Sequence, residues 1–71
     1  MGNPLKDFGM ITEAEYVGKT YEDAKLKAEK AGLFPRIVEK DGEAFMLTMD
    51  VRANRINFRI RRNVVTAAYG G

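Results

Sequence analysis

The residues of this chain best placed to do chemistry lie in one stretch, Leu47-Thr48-Met49-Asp50-Val51-Arg52-Ala53-Asn54-Arg55. An apolar side chain, Met49, stands directly before an acid, Asp50, and arginines follow that acid two and five residues on, as Arg52 and Arg55. A carboxylate with guanidinium groups spaced to fold back on it makes charge-assisted hydrogen bonds, each worth roughly 1.5–3 kcal/mol net. Bonds of that kind can hold an exposed loop in one shape. The stretch then reads as a rigid, exposed loop with the shape of a protease substrate.

Other chemistries are excluded by inventory. The chain has no cysteine and no histidine, so disulfides, zinc-finger sites and cysteine- or histidine-based catalysis are absent. Asp and Glu remain as acid–base candidates, and no two of them converge by spacing, so an enzyme is not expected. No cofactor or metal is called for.

Seventy-one residues make at most one domain. A chain of that size buries only about 60% of the surface its unfolded form exposes, so without staples it depends on packing and on polar networks at any loop it stiffens. No apolar run approaches the ~20 residues of a membrane span. The absence of cysteine fits a reducing compartment, and Met1-Gly2-Asn3-Pro4 has no signal-peptide core, so the cytoplasm is the default expectation. The net charge of +2 hides an asymmetry: residues 1–50 carry seven basic and ten acidic side chains, and residues 51–71 carry five arginines and no acid.

Three kinds of element must position the loop. Residues 1–15 read as an N-terminal arm, with Leu5, Phe8 and Ile11 available to pack back on a domain spanning 16–71. Thr20 is a natural N-cap with Asp23 three residues on, and Glu22 and Asp23 sit at the positive end of the helix dipole. Tyr21, Ala24, Ala28 and Ala31 fall on one face, and Gly32 is a natural stop with Leu33 after it, so the spacing predicts a helix over 20–31. Leu26 lies off that stripe.

Phe34 to Lys40 reads as a short strand ended by Asp41-Gly42. Glu43 to Met46 fits either a loop or a further strand. Strict alternation from Arg55 to Arg61 predicts a half-buried strand with Ile56, Phe58 and Ile60 inward and Arg55, Asn57 and Arg59 on the other face. Arg62-Asn63 makes a turn, and Val64-Val65-Thr66 a last short strand. The expected fold is α+β, a single helix on a small mixed sheet with a long exposed loop between the two main strands. A loop that long in so small a domain is usually functional or disordered. Arg55 and Asn57 are the polar groups placed to reach back to it.

These pieces together resemble the potato inhibitor I family of serine-protease inhibitors, the group of chymotrypsin inhibitor 2 and eglin, and the microbial elastase inhibitors that share its fold. The likeness is carried by Leu5-Lys6-Asp7-Phe8, by Val17-Gly18-Lys19-Thr20 with Asp23-Ala24, and by Leu47 to Ile56. Asn63-Val64-Val65 and Gly70-Gly71 add to it. The resemblance implies a scissile-type bond between Met49 and Asp50, with Met49 filling a protease's primary pocket and the Thr48 hydroxyl supporting the loop. It also implies that Asp50 accepts hydrogen bonds from Arg55 beneath it. Many members carry a second arginine where this chain has Asn57, and the elastase-inhibitor branch looks closer to its Arg-Ile-Asn pattern. The approach from Gly42 to Met49 is about two residues longer than the family's.

The partner so implied is a serine protease with an apolar primary pocket, subtilisin-, chymotrypsin- or elastase-like, contacted by Leu47, Thr48, Met49, Asp50, Val51 and Arg52. Arg55 and Asn57 lie beneath as support, and a monomer is expected. The competing reading is a non-inhibitory binding module whose arginine strip, Arg52 to Arg62, contacts nucleic acid or an acidic protein. Phe58 points inward, so that strip lacks an aromatic platform for bases, and nucleic acid is not the expected partner.

Overall fold

The computed structural model describes residues 13–47 and 50–71. Thr48 and Met49 lie outside the described residues, as do Leu5, Phe8 and Ile11 of the expected arm. Of that arm, Glu13–Glu15 form a single 3-10 turn.

One helix, α1 (Tyr21–Lys30), follows the N-cap Thr20, whose side chain accepts from the Asp23 amide at 3.3 Å. Its end is a Schellman motif built on Gly32 at φ 82°: the Leu33 amide donates to Ala28 O at 2.9 Å and the Gly32 amide to Glu29 O at 3.0 Å. Ala24 and Ala28 are fully buried, and their small side chains let the helix axis come close to the sheet. Ala31, expected on the same buried stripe, is the C-cap and is exposed, because the chain turns away there. Leu26 is exposed on the outer side of the helix.

Four strands form one mixed sheet: β1 (Phe34–Lys40), β2 (Glu43–Ala44), β3 (Arg55–Arg61) and β4 (Val64–Gly70), in the order β2-β1-β3-β4. β1 and β3 run parallel; the two outer pairings are antiparallel. The ambiguous segment after Gly42 is thus a two-residue strand, and the last strand runs on to Gly70 rather than stopping at Thr66. Its apolar signal ends early because Ala67, Ala68 and Tyr69 continue the pairing with β3 without β-branched side chains.

Both hairpins turn through residues in the left-handed region. Asp41 and Gly42 have φ of 53° and 85°, and Arg62 and Asn63 have φ of 51° and 66°. Two central residues at positive φ match the right-handed twist of the flanking strands. The two turns are tied together, since the Arg62 amide donates to Asp41 Oδ1 at 2.8 Å.

The core is one layer between α1 and the sheet: Tyr16, Ala24, Ala28 and Leu33 against Ile56, Phe58, Ile60, Val65 and Ala68. Phe58 lies at its centre, 5.6 Å from the Tyr16 ring and edge-on to Tyr21 at 6.2 Å between centroids. Burial raises the Tyr16 hydroxyl above its ordinary range, with Glu15 adding to the effect. The chain before α1 is stitched to β4: Gly18 N donates to Val65 O, Val65 N to Lys19 O and Tyr21 N to Asn63 O, all within 2.9 Å. The helix therefore starts at a fixed point on the sheet.

Two irregularities shift the register of β3 against its neighbours. In β1 the pairing steps from Ile37↔Phe58 to Glu39↔Arg59, so Val38 is the extra residue. In β4 it steps from Arg59↔Ala67 to Ile60↔Val65, and the extra residue Thr66 donates its hydroxyl to Arg59 O at 3.2 Å. Arg36, Asn57 and Tyr69 lie in the regular part of both pairings and stand side by side across three strands, on the face away from the helix.

Candidate functional site

The connection from β2 to β3 runs over residues 45–54 and is anchored to β1 at both ends. Phe45 N donates to Val38 O at 3.1 Å, and Asn54 O accepts from Phe34 N at 2.7 Å. Phe45, Met46, Leu47 and Val51 are all exposed, Met46 fully and Val51 to 82%. Several apolar side chains exposed along one loop mark a surface that another molecule can cover.

The second half of the loop closes on Asp50. Arg55 straddles it: Nη2 donates to the Asp50 carboxylate at 3.0 Å and Nη1 to the Asp50 main-chain carbonyl at 3.3 Å. Arg52 Nε donates to the same carboxylate oxygen at 2.8 Å. The main chain supports this with a turn in which Arg55 N donates to Arg52 O at 3.3 Å. The guanidinium of Arg55 is mostly buried, its side chain 12% exposed, whereas that of Arg52 is 65% exposed. An ion pair partly withdrawn from water is screened less than a surface pair, so Arg55 carries more of the hold than Arg52. Gly71 sits below, donating to Arg55 O at 3.2 Å, with space for a β-carbon 3.9 Å from Val51 Cγ1.

Of the residues singled out in the sequence, the structure thus brings Asp50, Arg52 and Arg55 into one cluster and leaves Leu47 and Val51 exposed on either side. The Met49–Asp50 bond itself includes a residue outside the described ones. Asn57, expected to support the loop, is engaged within the sheet. It is 1% exposed, and both ends of its amide are used within the sheet: Nδ2 donates to Tyr69 O at 3.2 Å and Oδ1 accepts from Arg36 Nε at 2.8 Å. Asn57 is thus held between Arg36 on β1 and Tyr69 on β4.

Arg36 is the residue that sequence reading missed. Its signal, one cation inside an otherwise apolar strand start, is visible in Phe34-Pro35-Arg36-Ile37, but its place opposite Asn57 depends on parallel register between distant strands.

The arginine strip of the second half is broken up by internal partners. Arg52 and Arg55 hold Asp50, and Arg59 stands 3.9 Å from Glu39. Arg61 and Arg62 are exposed at the far turn, away from the loop. No helix among the described residues is long and apolar enough to cross a membrane.

Fold and site together define a small α+β domain that displays a clamped apolar loop from the end of a parallel strand pair. No protein-family model matches the chain, and searches of curated proteins and of solved structures also return no match.

Proposed function

We propose that this protein inhibits a serine protease by offering the Leu47–Arg52 segment as a substrate held in its bound shape. The single observation that carries the reading is the double attachment of Arg55 to Asp50, to the carboxylate and to the main-chain carbonyl. The resemblance of the Leu47–Ile56 and Val17–Ala24 segments to potato inhibitor I-type inhibitors supports it.

The mechanism follows from preorganisation. A loop already in its docked form loses little entropy on binding, so more of the contact energy appears as affinity. Met49, apolar and flexible, suits an uncharged primary pocket and not one built for a cation. The protease nucleophile attacks the Met49 carbonyl and expels the Asp50 amine. That amine belongs to a residue pinned by Arg55 and Arg52, so it stays beside the acyl group and re-forms the bond faster than it leaves. Val51 then lies on the leaving side as an exposed apolar contact. Protease–inhibitor interfaces bury ~1,600 Å² in total, within reach of one loop and its flanks.

The rival reading, in which the arginine strip contacts nucleic acid or an acidic protein, is disfavoured because Arg52, Arg55 and Arg59 already face internal carboxylates.

The test is titration of subtilisin, chymotrypsin and elastase with the purified protein. Stoichiometric loss of activity for at least one of them, weakened by Met49→Gly, is the expected result. Full activity of all three, unchanged by that substitution, would overturn the reading.

A further inference from the structure

We infer that Arg36 is a further positioning residue for the loop, delivered from β1 and aimed by Asn57. For its consequence in inhibition this rests on the reading above; for its geometry it does not. Three observations converge on it.

The loop is anchored to β1 at Val38 and at Phe34, and Arg36 lies midway between those two points. Successive strand residues rise about 3.3 Å, so the anchors are only ~13 Å apart. Both ends of the connection therefore meet β1 within the short stretch centred on Arg36. Alternation and register place the Arg36 side chain on the outer face, beside Asn57 and diagonal to Arg55.

The second observation is the burial of Asn57. A side-chain amide that is 1% exposed must satisfy both ends, and the Tyr69 carbonyl takes its Nδ2 and so fixes which way the amide faces. Its Oδ1 is left pointing at β1, where Arg36 Nε meets it at 2.8 Å. That bond uses the inner nitrogen of the guanidinium and sets its plane. A guanidinium engaged at Nε has its two terminal NH₂ groups for other acceptors.

Third, the two arginines divide the loop between them. Arg55 secures Asp50, at the start of the second half. Arg36 lies two residues from Val38, where the first half leaves β1 through Phe45. A planar fork serves main-chain carbonyls or hydroxyls there better than a lysine ammonium, because its donors are already oriented.

The experiment compares the free protein with its Arg36→Met and Arg36→Lys variants by ¹⁵N relaxation at Phe45, Met46, Leu47, Asp50 and Val51. Methionine keeps an apolar stem over the sheet and removes the fork. The expected result is order parameters near ~0.85 in the unsubstituted protein, a fall below ~0.6 at Phe45–Leu47 in Arg36→Met, and partial recovery in Arg36→Lys. Amides of β3 and β4 stay unchanged. Hydrolysis of the loop by a protease that the protein inhibits rises in the same order. Unchanged relaxation in Arg36→Met, or an equal loosening of loop and sheet, would overturn the assignment. Loosening confined to the loop in a protein that inhibits no protease would retain the role of Arg36 and remove the inhibitor reading.

Discussion

Arg55 grips Asp50 at two points, its Nη2 3.0 Å from the carboxylate and its Nη1 3.3 Å from the main-chain oxygen of the same residue. One side chain thereby restrains both the side chain and the backbone at the position that follows Met49. Losing the carboxylate contact alone leaves the backbone contact in place.

That relationship ranks three substitutions. Arg55→Met removes both contacts from a mostly buried guanidinium and is expected to have the largest effect, a rise of at least about tenfold in loop hydrolysis, equivalent to ~1.4 kcal/mol. Asp50→Ala keeps the carbonyl contact and falls between. Arg52→Ala removes a water-exposed partner and should change hydrolysis least, in keeping with the ~0–1 kcal/mol typical of surface pairs. Steady-state inhibition together with mass spectrometry of the cleaved product measures all three. The reverse order for Arg52 and Arg55 would contradict the burial argument.

Glu22 ties the helix start to the second hairpin and should be visible as an acid-sensitive contact. The bond from Asn63 Nδ2, at 3.0 Å, lowers its carboxyl below the ordinary 4.5, helped by its own backbone amide and by Lys40. A carboxyl lowered on folding adds stability above the ordinary value, and that stability is lost as pH falls through the lowered one. Asn63→Gly keeps the positive φ and removes the side-chain donor. In an NMR titration the Glu22 midpoint is expected to move up toward 4.5 in this variant.

Arg62 sits at φ 51° with a full side chain, in a region that costs a β-carbon-bearing residue roughly 1–2 kcal/mol. Glycine there returns ~0.5–1 kcal/mol of that in chain entropy. Arg62→Gly should therefore stabilise the fold by about 0.5–1 kcal/mol, since the amide that bonds Asp41 is retained. Urea denaturation would show a higher midpoint with an unchanged slope.

Phe58 is the largest fully buried side chain, in contact with both tyrosines of the helix side. Phe58→Ala is expected to cost about 3–5 kcal/mol, a large share of what so small a domain holds. Loss of a cooperative thermal transition at room temperature would be the observable consequence.

The helix, its caps, β1 and β3 were legible because each depends on local spacing: Thr20 with Asp23, Gly32 with Leu33, and the alternation from Ile56 to Ile60. The pairing of Arg55 with Asp50 was legible for a similar reason, since a charge and its partner lie five residues apart in one loop. What the sequence hid is set by register between strands distant in the chain. Asn57 looks like an ordinary polar residue on an open strand face, and its burial follows from Arg36 on one side and Tyr69 on the other. The extension of β4 was hidden because Ala67 and Ala68 have weak strand preference and hold their places through pairing with β3.

The parallel contact between β1 and β3 has a further result. Of the described residues, those before the loop contribute Tyr16, Ala24, Ala28 and Leu33 to the core, and those after it Ile56, Phe58, Ile60, Val65 and Ala68. Among the described residues neither half has a hydrophobic interior of its own. The molecule is in effect a heterodimer of two peptides, with the loop as a tether that keeps their mutual concentration high. Separate peptides 1–49 and 50–71 should then find each other in solution and fold only as a pair.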